Sequence, residues 1–228
     1  MNESNVTRET FMFLPVWQEV LFYVLAAIST ALFVVGVARL ARRYWVARKQ
    51  GWRFRAGYAA REIATHENIR RSAGWVGWAH FAVFYGFVVL FIGTTILAIN
   101  DHITSPLGWD FWQGAFYNWY SLFLDVFGFA LLIGLIALGV RRMRHPQRLD
   151  YTRADGREPS AKRRQYRADD WVFFWSLMGI GATGFVLEAL RIAIEQPPFS
   201  AWSPIGWALG MLLAKLGITW SWLYVTLW

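Results

Sequence analysis

Four ionisable side chains fall inside long apolar stretches of this chain: His80 in GWAHFAVFYGFVVLFIGTT, Asp125 in SLFLDVFGFALL, and Glu188 with Arg191 in TGFVLEALRIA. At membrane depth such groups are costly, and they either serve a function or pair between helices. A neutral imidazole is the usual axial ligand of haem iron, and helical bundles offer such ligands from facing helices, so His80 is a candidate haem ligand; a hydrogen bond to a neighbouring helix is its plainer role. Glu188 and Arg191 stand three residues apart, the spacing that brings helical neighbours together, and should form a salt bridge. With Asp125 they can hold a quinone headgroup, guide its protons or meet haem propionates through Arg191; an ion-pair lock between helices needs the same residues. Ala82, Gly86 and Gly93 lie near one another beside His80 and form a narrow groove, which can admit a porphyrin or an adjacent helix.

The remaining histidines carry less. His66 and His145 sit among arginines and are expected to be solvated, and His102 lies in a short loop where a surface role is expected. The absence of Cys excludes disulfides, thiolate metal sites and iron–sulfur ligation by this chain itself.

Elements that position these residues must be helices that cross a bilayer. A chain that is 56% hydrophobic, with 15 Trp in 228 residues, departs from the composition of soluble domains. A hydrocarbon core about 30 Å thick needs roughly 20 apolar residues in helix, because lipid satisfies no backbone group. Val16–Leu40, Gly74–Asn100, Trp119–Val140 and Trp171–Ile194 meet that requirement, each bounded by charge or by interfacial aromatics. In a fifth apolar region, Ile205–Trp228, Lys215 disfavours one continuous span, so the sequence predicts a short interfacial helix followed by a new span from near Ile218. The expected fold is all-α, a polytopic transmembrane bundle of four complete spans and a partial fifth.

The net charge of +8 is concentrated in the connections after the first and third spans. NDHITSPLGWDFW and EQPPFSAWSPIGW contain acidic residues and no Lys or Arg. That asymmetry puts the basic connections in the cytoplasm and the N-terminus outside, in the cytoplasmic (inner) membrane of the cell, with membrane lipid as a partner and no role for nucleic acid. MNESNVTRETFMFLP lacks the pattern of a removable signal peptide. The stretch Arg141–Asp170, rich in Arg, Asp, Gly and Pro, is the candidate for local disorder.

HFAVFYGFVVLFIGTTILAI, SLFLDVFGFALLIGLIAL followed by paired Arg, and TGFVLEALRIA together resemble the cytochrome b membrane domain of the nitrate reductase gamma subunit kind, especially the version fused in front of heterodisulfide-reductase-like iron–sulfur domains. The resemblance runs from the second span to the end. It implies a five-helix haem b protein that exchanges electrons between membrane quinone and a cytoplasmic iron–sulfur partner or fused domain. His80 matches the family's axial His on the second helix. Val89, Leu90 and Phe91 stand where the gamma subunit has a second His, and no His follows His145 to match the fifth-helix ligands.

The function expected from sequence is thus haem b-dependent, quinone-linked electron transfer by an oxidoreductase component. Its rivals are a haem-free membrane anchor of a redox complex and a small transporter lined by Asp125, Glu188 and Arg191. Residues 1–228 read as one such domain, with a final span that ends inside the bilayer, so continuation beyond Trp228 is expected, with at least one further His.

Overall fold

The computed structural model describes residues 11, 13–49, 56–144 and 160–227, and among them helix is the only regular element. The helices are α1 (Val16–Lys49), α2 (Ala56–Thr65), α3 (Glu67–Ala73), α4 (Trp75–Ile99), α5 (Gly114–Arg144), α6 (Ser160–Glu195), α7 (Pro204–Lys215) and α8 (Ser221–Leu227). Four of them, α1, α4, α5 and α6, contain segments long and apolar enough to cross a membrane, which makes this a multi-pass membrane protein. The chain divides into two compact units, Glu9–Asn68 and Ile69–Trp228.

In the first unit, α1 is apolar along its membrane-length segment and none of that segment is buried by protein, the condition of a helix whose solvent is lipid. His66, expected to be solvated, is instead 7% exposed and adopts a left-handed φ of 47° at the break between α2 and α3. Its amide donates to the Glu62 carbonyl at 2.8 Å, which closes the last turn of α2. His145 lies outside the described residues.

The second unit is organised by small residues on facing helices. Cβ atoms built at Gly86 and Gly93 would meet Leu131 and Leu124 of α5 at 2.6 and 2.5 Å, and one at Gly134 would meet the Ala79 carbonyl at 2.7 Å. The pairs 93–124, 86–131 and 79–134 run in opposite directions, so α4 and α5 form an antiparallel hairpin with nearly touching backbones. On the next face of α5, Gly128 meets Phe185, Leu132 meets Gly181 and Gly139 meets Phe174, which sets α6 antiparallel to α5. Leu131, Leu135 and Phe174 form the centre of that packing. At its basic end Arg142 pairs with Asp170 at 2.7 Å and lies over the rings of Trp171 and Phe174.

One expectation changes. Helix α6 begins at Ser160, so the end of the stretch expected to be disordered is helical, and α5 continues through Arg144; residues 145–159 lie outside the described residues. The final apolar region breaks as expected. Gly217, at φ 71°, donates to the Ala214 carbonyl, while the Ile218 amide reaches back to Leu213 at 2.9 Å. This glycine closure ends α7 at Lys215, before α8 starts.

Candidate functional site

At the end of the second unit opposite Arg142, the two Lys- and Arg-free loops both pack on the start of α5, Trp112 and Phe199 meeting the same Tyr117. Asn100 Oδ1 accepts from the Trp112 amide at 3.3 Å, which fastens the turn between α4 and α5. Tyr117 meets Phe199 edge-on with ring centroids 5.5 Å apart, and Trp119 meets Trp202 at 5.3 Å. Beneath them, between α4, α5 and α6, lies a cavity of about 460 Å³. Its long walls are apolar, including Phe87, Leu90, Phe91, Leu177 and Phe185, and Gly128, Gly181 and Gly184 keep it open. Its other end is polar, formed by Tyr117, Tyr120, Ser121, Asp125, Glu188 and Ser203.

Two carboxylates at that end have different partners. Asp125 accepts the Ile205 amide at 2.7 Å through Oδ2 and the Gly206 amide at 3.0 Å through Oδ1. These are the first free N–H groups of α7, left without intrahelical partners as at any helix start, so α5 supplies the cap from eighty residues away. Glu188 instead meets Arg191 in a two-toothed pair, Oε1 to Nη2 at 2.7 Å and Oε2 to Nε at 3.2 Å. Arg191, only 3% exposed, reaches Glu195 at 3.4 Å with its remaining arm. A buried guanidinium is tolerable in this setting because carboxylates occupy its donors.

Ser203 precedes α7, where serine ordinarily caps the helix with its hydroxyl. No such bond is made here. The Ser203 hydroxyl meets the Ser121 hydroxyl at 2.5 Å and donates to Glu188 Oε1 at 3.5 Å. Gly206 allows this convergence, since a Cβ there would sit 2.9 Å from Glu188 Cγ.

The structure therefore brings Asp125, Glu188 and Arg191 to one polar cluster, with the first two lining the cavity and Arg191 behind Glu188. It does not bring His80 to them. His80 occupies an exposed face of α4 and lies about 20 Å from Gly93 along the helix at roughly 1.5 Å per residue. Gly86 and Gly93 are filled by Leu131 and Leu124, so the groove read from sequence holds a helix. Ser121, Ser203, Tyr117 and Tyr120 were not singled out in the sequence. Ser203–Pro204, a cap residue before a proline at the first helical turn, was the one available signal. Among the described residues no group of three or more His, Cys, Asp or Glu could hold a metal ion.

No protein-family model matches the chain, and no solved structure matches it. The chain is similar to the "EtfAB:quinone oxidoreductase" of Syntrophomonas wolfei subsp. wolfei (strain DSM 2245B / Goettingen), with 32% identity over 152 residues, 62% of this chain and 19% of that protein. It thus spans only a minor part of that relative's length.

Proposed function

We propose that this chain is the membrane module of a quinone-linked electron-transfer oxidoreductase, and that the cavity between α4, α5 and α6 receives the quinone. The observation that carries the reading is the cavity's asymmetry. An apolar slot walled by Phe87, Leu90, Leu177 and Phe185 ends in a small set of hydroxyls and carboxylates, which suits a ring with polar oxygens on an apolar tail. The similarity to a protein named as a quinone oxidoreductase supports the same class of ligand.

The finer reading adds a cytochrome b of the nitrate reductase gamma subunit kind, with haem b on His80 and an iron–sulfur protein or domain as the cytoplasmic partner. Haem would supply one-electron transfer. The described residues offer it the His80 imidazole on an exposed face, but the slot beside Gly86 is closed by Leu131, so they do not by themselves fit a porphyrin and no step is derived through it.

Gly184 provides the test, because a Cβ there meets nothing within 4 Å and the residue lines the cavity. Gly184→Phe is expected to fill the slot while leaving every polar group in place. Membranes carrying the full gene product should bind a short-tail quinone by fluorescence quenching, and G184F should weaken that binding at least about tenfold, the loss of roughly 1.4 kcal/mol. Equal binding by wild type and G184F would overturn the assignment.

A further inference from the structure

We propose that Glu188, and not Asp125, exchanges the ring-oxygen protons of the quinone, with Ser203 and Ser121 as its hydroxyl relay and Arg191 as the positioning residue that holds it in place. This rests on the cavity being the quinone site. Both carboxylates line the cavity and both have their two oxygens engaged, but Asp125 holds backbone N–H groups of α7, whereas Glu188 is held by the Arg191 side chain and also accepts from the Ser203 hydroxyl. Asp125 holds the start of that helix through these bonds, so its role is structural. Because Asp125 caps α7, the Ser203 hydroxyl is released from that task and turns to Ser121 and Glu188 Oε1. A chain of two hydroxyls, both on the cavity wall, thus ends on one carboxylate.

In quinol oxidation each ring O–H bond breaks as an O–H bond forms on Glu188, directly or through Ser121 and Ser203. The two electrons leave singly to a one-electron acceptor of the flavin or iron–sulfur class, and Glu188 releases the first proton to water before it accepts the second. Two electrons and two protons leave one quinol. In quinone reduction the same bonds form in reverse. Among the described residues, the titratable or charged groups beside Glu188 include Arg191 and Glu195 on α6 and Asp125, Tyr117 and Tyr120 on α5, and α8, which packs on α6, carries Tyr224. On α4 the cavity wall is Phe87, Leu90, Phe91 and Thr94, without a titratable group, and the one charge of α7 is Lys215 at its far end.

The experiment is reoxidation of the pre-reduced full complex in its membranes by a short-tail quinone, followed from pH 5 to 9. Proton transfer by a placed side chain typically contributes about 10²–10⁴-fold, so Glu188→Gln should lower kcat by at least about tenfold, leave KM within about twofold and abolish the pH dependence. Ser203→Ala, which removes no capping bond, should lower kcat several-fold and raise the solvent deuterium isotope effect. Wild-type kcat and pH profile in E188Q would overturn the proposal while the quinone site stands. Should E188Q fail to insert, an unchanged rate and isotope effect in S203A overturns it. Failure of quinone to reoxidise the wild type would remove the site itself.

Discussion

Asp125 and Glu188 are both acids within apolar sequence, yet neighbouring atoms give them opposite duties. Asp125 satisfies two N–H groups that would otherwise open a helix without partners. Each such buried donor left unpaired costs about 1–3 kcal/mol, so Asp125→Ala is expected to destabilise the second unit by about 2–6 kcal/mol. Thermal unfolding in detergent measures the loss, and proteolysis between α6 and α7 should accelerate in parallel. The sequence marked both acids as exceptional, since charges in apolar runs are rare. It carried no sign of which one would face a helix start, because Ile205 and Gly206 lie some eighty residues further on and meet Asp125 only through packing.

At the scale of elements, the glycines divide by what they face. Cβ atoms at Gly86 and Gly134 would collide with the Phe127 and Ala79 carbonyls at 2.7 Å, and these backbone atoms cannot turn aside. At Gly179 nothing lies within 4 Å. Gly→Ala at 86 or 134 should therefore separate α4 from α5 and cost about 1–3 kcal/mol, whereas at 179 the better helix propensity of Ala should leave stability equal or raised by up to about 1 kcal/mol. Melting temperatures of the three variants, side by side, decide the matter. Equal losses at all three would show that the close approach of α4 and α5 does not hold the hairpin together. The small-residue pattern was visible in the sequence as a groove, but small side chains state only that something comes near.

For the whole molecule, Phe199 and Trp202 of the α6–α7 connection pack on Tyr117 and Trp119 at the start of α5, and Trp112 of the α4–α5 connection packs on the same Tyr117, so both connections lie at one end. The chain has no native Cys, so single cysteines report cleanly. Leu107→Cys and Ala201→Cys, both at exposed positions, should react with an impermeant thiol reagent from the same side of the membrane, and Arg48→Cys from the opposite one. The first half follows from loop packing and the second from the distribution of Lys and Arg. Labelling of Leu107→Cys and Arg48→Cys from one side would reverse the assigned topology.

Amino-acid order alone determined the four spans, the break around Lys215 and the salt bridge of Glu188 with Arg191, because each depends on neighbours within one helix or on the match between apolar length and bilayer thickness. Those forces act locally, and a lipid-crossing helix must satisfy its backbone from its own residues. Tertiary structure decided that Leu131 and not a ring fills the groove at Gly86, that Asp125 caps α7, and that the freed Ser203 hydroxyl turns to Glu188. It also opened a cavity between three helices with its polar groups at one end. Each of these outcomes depends on which side chains of separate helices occupy the same few ångströms, a choice made by close packing and by the need of buried N–H groups for acceptors, and no local pattern encodes it.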